Sequence, residues 1–278
     1  MEDKLKVAIQ GFKGCFHQEA AYALLGEDIT TVGCSNFREL ARRVIEKEAD
    51  MGLMAIENSI AGSILPNYAL LQDGLLKITG EIHMRIRQNL LGIKGAQISE
   101  IVEVQSHPMA LLQSMNFLDT IEGVRLVESR DTAYSAEQVA KLGDKTHAAI
   151  GSCMAAEIFG LEVLKADIHT VENNYTRFIL IERDEDAMPV IGANKASLFF
   201  KITNERGSLA TVLRCFETLN VNMTKLQSYP IPADPFNYIF HTDMEFDHME
   251  EFLGALQRAQ KVAEQLDIIG IYKKGEFI

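Results

Sequence analysis

The chain has 278 residues, 47% hydrophobic and 24% charged, with 27 basic against 39 acidic residues and a formal net charge of -12. The length points to about two domains and the apolar share supports a sizeable core. The acidic balance, with no basic stripe beyond Arg42-Arg43, argues against nucleic acid as a partner. No run approaches the ~18 apolar residues of a membrane span. No leader-like segment precedes the first apolar run, and Cys15, Cys34, Cys153 and Cys215 form no CxxC pair. The expectation is a reduced, cytoplasmic chain with no membrane partner and no structural zinc.

In chain order, Val7-Ala8-Ile9 reads as a strand, followed by the turn Gly11-Phe12-Lys13-Gly14 and a helix from His17 to Leu25. Asn36 with Glu39 three residues on predicts a capped helix start, and Phe37, Leu40, Val44 and Ile45 fall on one face. Gly52 to Ile56 is a buried strand ending at Glu57-Asn58-Ser59. Ile101 to Val104 is another, ending at Ser106-His107-Pro108. Ala148 to Gly151 repeats the pattern before the helix Ser152 to Phe159. Strand–turn–helix repetition predicts a largely parallel α/β sheet, whose ligands sit beyond the carboxyl ends of the strands. After Met188 to Gly192 the order changes: strand 196–202, helix 209–219, strands 221–228 and 236–244, helix 249–266 and strand 268–272. That βαββαβ order is the ferredoxin-like split unit. Residues 1–190 carry a net charge of -10 and residues 191–278 carry -2.

Asn173-Asn174-Tyr175-Thr176-Arg177-Phe178 is a polar hexapeptide running into the strand Ile179-Leu180-Ile181. Its arginine is a planar fork suited to a carboxylate and its threonine a movable donor. From chemistry alone the alternative is a turn with a solvated arginine. His107 is either a general acid or a histidine held in a turn before Pro108, and Glu57 either an acid–base group or a structural carboxylate. Histidines and cysteines lack metal-ligand spacing, and no GxxxxGK[ST] or strand-linked GxGxxG argues for a nucleotide.

These segments together resemble the prephenate dehydratases, from about residue 4 to 275. Thr176-Arg177-Phe178 matches the family's most specific motif. Gly11, Gly14 and Phe16 resemble its opening glycine turn, with Cys15 where Thr or Ser is usual. Ile56-Glu57-Asn58-Ser59 with Gly62 resembles its ENS segment, with Ala55 for Pro. Ser106-His107-Pro108 with Gln113, Asp131-Thr132-Ala133 and Ala149 to Ser152 resemble three more. The resemblance implies an α/β fold: a two-lobed, periplasmic-binding-protein-like (type II) catalytic unit plus a ferredoxin-like βαββαβ ACT domain. The catalytic domain would be 1–188, with lobe one about 1–80 and 170–188 and lobe two about 81–169; the ACT regulatory domain would be 193–278. Gly207-Ser208-Leu209-Ala210 resembles the ACT turn, while Gln227-Ser228-Tyr229-Pro230 departs at two positions from the usual Glu-Ser-Arg-Pro.

The implied reaction converts prephenate to phenylpyruvate, with L-phenylalanine as allosteric ligand and a homodimer or homotetramer as assembly. Aromatisation drives the step, so no cofactor is expected. The enzyme must supply a donor to the departing hydroxide and a grip on the carboxylates. The resemblance gives Thr176 the donor role and assigns Asn58, Ser106 and Gln113 to orient the substrate. Arg177, Gly11, Gly14, Glu57, Ser59 and Thr132 are the further substrate-binding candidates; Arg177 has a structural strut as its alternative, and Thr132 a helix cap. Gly207, Ser208, Leu209, Ala210, Gln227 and Ser228 are the regulatory candidates. The competing readings are arogenate dehydratase, a solute-binding or sensor protein on the same fold, and a C-terminal module that only dimerises.

Overall fold

The structure, a computed structural model, describes residues 4–217, 219–231 and 234–278. It divides into two compact units: residues up to 65 with 83–178 and 277–278, and residues 66–82 with 179–276.

The first unit opens with β1 (Leu5–Gln10), α1 (Phe16–Leu25), β2 (Ile29–Cys34), α2 (Phe37–Ile45) and β3 (Met51–Asn58). Val7, Ala8 and Ile9 are buried on both faces of β1, as expected of a strand held parallel between β2 and β3. The predicted cap of α2 forms: Asn36 Oδ1 accepts the Glu39 N–H at 2.9 Å, and the Glu39 carboxylate reaches back to the Ser35 N–H at 2.7 Å. Then come β4 (Gly62–Ser63), α3 (Leu65–Ala69) and β5 (Leu76–Arg85).

A second sheet is built from β6 (Asn89–Gly92), β7 (Glu103–Ser106), β8 (Arg125–Glu128), β9 (His147–Gly151) and β10 (Glu162–Lys165), with α4 (Pro108–Gln113), α5 (Met115–Leu118), α6 (Thr132–Leu142) and α7 (Cys153–Phe159) between strands. Its order is β10-β6-β9-β7-β8. Leu90, Val104, Leu111, Ala148 and Ile150 form its core. β7 runs parallel to β8 and β9, but β6 is antiparallel to β9 and β10. The expectation of a largely parallel sheet is corrected there. The chain enters this sheet from β5 across three residues, too few for a crossover helix, and so arrives in the opposite direction. The strand expected from Ile101 starts at Glu103, because residues 98–100 form a 3₁₀ turn.

β11 (Tyr175–Arg183) completes the first sheet in the order β2-β1-β3-β11-β5. A late strand inserted between the third and the next is the type II arrangement. β5 runs from the second unit into the first, and β11 from the first into the second.

The second unit contains β12 (Lys195–Lys201), α8 (Ser208–Glu217), β13 (Asn222–Ile231), β14 (Asp234–Glu245), α9 (Met249–Ala259) and β15 (Gln265–Tyr272). The sheet order β13-β14-β12-β15, antiparallel throughout, is the ferredoxin-like βαββαβ unit. On β12 the alternate residues Ala196, Leu198 and Phe200 pack against Val212, Phe216, Phe252 and Leu256 of the helices. The helix expected to run to Leu266 stops at Ala259. The Val262 and Ala263 N–H groups both turn back to the Ala259 carbonyl, and the Glu264 N–H donates to Lys201 at 2.9 Å, drawing the chain into β15. Thr218, inside the helix expected over 209–219, lies outside the described residues. Residues 66–82 and 179–188, which the sequence places in the first domain, pack with this sheet.

The other face of β12 carries a buried polar layer. Lys195 Nζ donates to both Glu81 oxygens at 2.8 and 3.1 Å, with the Glu81 side chain fully buried. Ser197, Asp243, Tyr272 and His241 are hydrogen-bonded alongside. Removing one partner of a buried pair strands the other charge. Lys195→Met is expected to cost about 3–5 kcal/mol of stability, read as a lower urea midpoint. The double substitution Glu81→Leu, Lys195→Met should recover most of that loss; an unchanged midpoint in the single variant would contradict it.

Candidate active site

In the first unit a cavity of about 360 Å³ is lined from both sheets. Its walls include Gln10, Cys15 and His17 after β1, Asn58 at the end of β3, Gln88 before β6, Gln113 at the end of α4, and Arg130, Asp131 and Thr132 at the start of α6. Thr176 and Phe178 of β11 complete it. Strand alternation explains which β11 residues enter: Thr176 and Phe178 point in, and Arg177 between them does not.

A chain of amides crosses this cavity. Asn58 Oδ1 accepts two backbone N–H groups, from Ile60 at 3.0 Å and Ala61 at 2.9 Å. That fixes which end of the amide is oxygen, so Nδ2 faces Asn174 Oδ1 (2.8 Å), the Tyr175 carbonyl (3.2 Å) and Thr176 Oγ1 (3.0 Å). An amide nitrogen only donates, so Asn174 presents its oxygen to Asn58 and its nitrogen to Gln113 Oε1 at 3.0 Å. Gln113 Oε1 also accepts from Gln88 Nε2 at 3.4 Å. Every orientation in the relay thus follows from two backbone amides after β3.

Three groups emerge with unspent capacity. The Thr176 hydroxyl accepts from Asn58, so its proton is available to donate. Gln113 keeps its Nε2 hydrogens, because its oxygen takes both network bonds. Gln88 Oε1 is a buried acceptor with no hydrogen-bond partner among the described residues. Gln88 is 3% exposed and Thr176 8%. The set is neutral and largely buried, the setting in which a hydrogen bond to developing charge is strongest.

The titratable wall groups are tuned away from charge. Burial pushes the Cys15 thiol up to about 12, and the Asp131 charge adds to the shift. Desolvation pulls His17 down to about 3 between the rings of Phe37 and Phe178, at centroid distances of 5.5 and 5.0 Å. Both are neutral near pH 7, which removes the thiolate nucleophile and the imidazolium acid. Burial also raises Asp131, against the N–H groups of Tyr134 and Ala133 that its Oδ1 caps.

Of the expected site residues, Thr176, Asn58, Gln113 and Thr132 reach the cavity. Ser106 does not: it is fully buried, and its hydroxyl donates to the Ile150 carbonyl at 2.8 Å, tying β7 to β9. Arg177 is 6% exposed and lies off the cavity. Glu57 pairs with Ser63 of β4, out of step with Asn58. Ser59 clasps β11 instead: its Oγ donates to the Asn173 carbonyl at 2.9 Å and accepts the Tyr175 N–H at 2.9 Å. Gly11 and Gly14 turn with φ of +113° and +87°. Their N–H groups are spent on the Cys34 carbonyl and on Gln18 Oε1, so they shape the wall and offer no amide of their own. A Cβ on Gly14 would stand 3.0 Å from the Ala155 Cα. The cap of α6 is Asp131; Thr132 is its first helical residue. His107 sits at the turn into α4, where its Nδ1 accepts the Met109 N–H at 3.2 Å.

Sequence reasoning missed Gln88, Asn174 as the relay's hub, and Arg130. Asn174 stood inside the hexapeptide already singled out and Arg130 stood beside Asp131-Thr132-Ala133, whereas Gln88 carried no signal.

In the second unit, a cavity of about 470 Å³ opens at Gly207, Leu209 and Ala210, with Thr203, Tyr238 and Phe240 on its other walls. Ser208 is not among its lining residues, and its Oγ hydrogen-bonds Thr203 Oγ1 at 3.2 Å. Gln227 and Ser228 do not line it: they lie on edge strand β13, opposite His241 and Phe240 of β14.

Neutral amide and hydroxyl groups converging on a cavity lined from both sheets of a two-lobed α/β unit define a small-molecule enzyme site. The chain belongs to the prephenate dehydratase family, whose model matches residues 7–186. It is 32% identical to the bifunctional N-acyl-homoserine lactone acylase/prephenate dehydratase of Komagataeibacter europaeus, over 98% of this chain and 96% of that protein. It is 31% identical to arogenate dehydratase/prephenate dehydratase 1 of Arabidopsis thaliana, over 98% of this chain and 72% of that one. Among solved structures, the prephenate dehydratase of Arthrobacter aurescens in complex with L-Phe superposes with a TM-score of 0.86 at 26% identity, covering 97% of this chain and 90% of that one.

Proposed function

We propose that this chain dehydrates and decarboxylates prephenate to phenylpyruvate, for phenylalanine biosynthesis, with the Asn58–Thr176 pair as the observation that carries the reading. In this reaction the ring carboxylate leaves as carbon dioxide. Its bonding electrons enter the ring as the C4–oxygen bond breaks, and the hydroxide departs with a proton as water. A bare threonine hydroxyl is a poor acid. Thr176, accepting from Asn58, instead presents its hydrogen to the departing oxygen and passes on a proton replenished from water. Prephenate has one neutral donor, the ring hydroxyl, and Gln88 Oε1 is the buried acceptor suited to it. Gln113 Nε2 supplies a further donor. Residues 1–188 would be the catalytic domain and 193–278 the regulatory one.

The test is the appearance of phenylpyruvate, by ultraviolet absorbance, after incubation with prephenate, and of phenylalanine, by chromatography, after incubation with arogenate. Turnover of arogenate alone would move the substrate to the amino-bearing analogue, and a protein that binds prephenate without product would be a sensor. The four free cysteines support a reducing, cytoplasmic setting. A second, regulatory function is supported by the cavity at Gly207 and by the L-Phe complex of the Arthrobacter aurescens structure. Saturating L-phenylalanine is expected to lower prephenate turnover by about tenfold or more, the coupling of about 1.4 kcal/mol being typical of allostery. No heat on titration and no inhibition would leave the second unit as a dimerising module. Pairing through it into a homodimer or homotetramer is part of the same reading.

A further inference from the structure

A dianionic substrate entering a unit of net negative charge needs a cation at short range. Arg177 is buried off the cavity. Arg130 is the one lysine or arginine among the described residues that line it. Its guanidinium carbon stands 3.9 Å from the Tyr134 ring centroid and 4.5 Å from that of Phe12. Phe12 belongs to the glycine turn after β1 and Tyr134 to the first turn of α6, so the stack joins the two walls. Aromatic faces occupy the flat sides of a guanidinium and leave its five N–H donors, which lie in the plane, pointing outward. Arg130 makes no hydrogen bond or ion pair among the described residues, and its sequence neighbour Asp131 spends Oδ1 on the Ala133 and Tyr134 N–H groups. A flat, oriented, unspent fork at a cavity mouth suits bidentate capture of a carboxylate.

We propose that Arg130 clamps the substrate's side-chain carboxylate, the one that survives into the product. The choice between the two carboxylates follows from the chemistry. The ring carboxylate must become neutral carbon dioxide, and a tight charge pair to it would stabilise the ground state and oppose its departure. The side-chain carboxylate keeps its charge throughout, so a clamp there binds substrate, transition state and product alike. Such uniform binding appears in KM and leaves kcat alone. The inference rests on the prephenate reading and adds the residue that holds the anion.

The test uses the full chain with Arg130→Gln and Arg130→Lys. Glutamine is expected to raise KM for prephenate by about 10–100-fold, the range for losing a hydrogen-bonded charge, with kcat within about threefold. The dissociation constant of phenylpyruvate, measured by calorimetry without turnover, should rise by a similar factor, and lysine should recover part of both. A KM within about twofold of wild type would overturn the clamp. So would a raised KM with unchanged phenylpyruvate affinity, since the residue would then hold the departing carboxylate. A fall in kcat with unchanged KM would make Arg130 a mere strut between the walls and would also overturn it. A wild-type protein inert to prephenate would sink the dehydratase reading instead, and the calorimetric comparison would still decide Arg130.

Discussion

Thr176→Val is expected to lower kcat for prephenate by about 10²–10⁴-fold, the usual worth of a positioned proton donor, with KM within about threefold. Valine replaces the hydroxyl by a methyl of nearly the same shape, so a packing loss is small. The relay also survives the change. Asn58 Nδ2 keeps Asn174 Oδ1 at 2.8 Å and the Tyr175 carbonyl at 3.2 Å, and its oxygen keeps two backbone N–H groups. What disappears is the one hydroxyl whose oxygen is already committed as an acceptor and whose hydrogen is therefore aimed elsewhere. Thr176→Ser restores that hydrogen and should return activity to within about tenfold of wild type. Equal activity in the valine variant, to within about threefold, would remove Thr176 from the reaction. The neighbouring groups do not offer an easy substitute: the His17 imidazole is held near 3 and the Cys15 thiol near 12, so neither exchanges a proton readily at neutral pH.

How much of this was legible in the sequence depends on the range over which each feature is decided. The Asn36 cap, the α1 and α2 helices and the central strands were legible because apolar spacing and capping act within a few residues. The antiparallel entry of β6 was not, since strand direction is set by where the chain comes from. The end of α9 was hidden for a related reason: its apolar pattern runs on, but the Lys201 carbonyl captures Glu264. The same division holds at the site. The hexapeptide around Thr176 was conspicuous, yet its arginine and threonine fall on opposite faces of one strand, and only the threonine enters the cavity. Ser106 looked like a strand-end donor, but a hydroxyl packed at 0% exposure spends itself on the next strand's carbonyl. Arg130 stood beside a conspicuous segment, but its value was hidden because it comes from rings supplied by two different turns. The Lys195–Glu81 pair joins residues 114 apart, beyond any local pattern.

Asn58→Asp is expected to lower kcat by about 100-fold at pH 8 and to lose less as the pH falls, which tests the relay itself. The new carboxylate keeps the oxygen that caps Ile60 and Ala61, so the turn after β3 is retained. Its second oxygen replaces Nδ2, which donates to Asn174 Oδ1, the Tyr175 carbonyl and Thr176 Oγ1. All three are then oxygens facing an anion. The nearest donor able to relieve that repulsion is the Thr176 hydroxyl, which would turn its hydrogen onto the introduced carboxylate and away from the substrate. Loss of about 100-fold corresponds to one misdirected hydrogen bond of about 2.7 kcal/mol. Acceptors crowded around a carboxyl favour its protonated form, so the introduced group should titrate above the ordinary carboxylate range. Once protonated, it is a donor again and can restore the wild-type direction of the relay. The ratio of variant to wild-type kcat should therefore rise as the pH is lowered from 8 toward 5. A ratio that stays flat across that interval would mean that Asn58 serves the fold of the β3 turn and not the direction of the Thr176 proton.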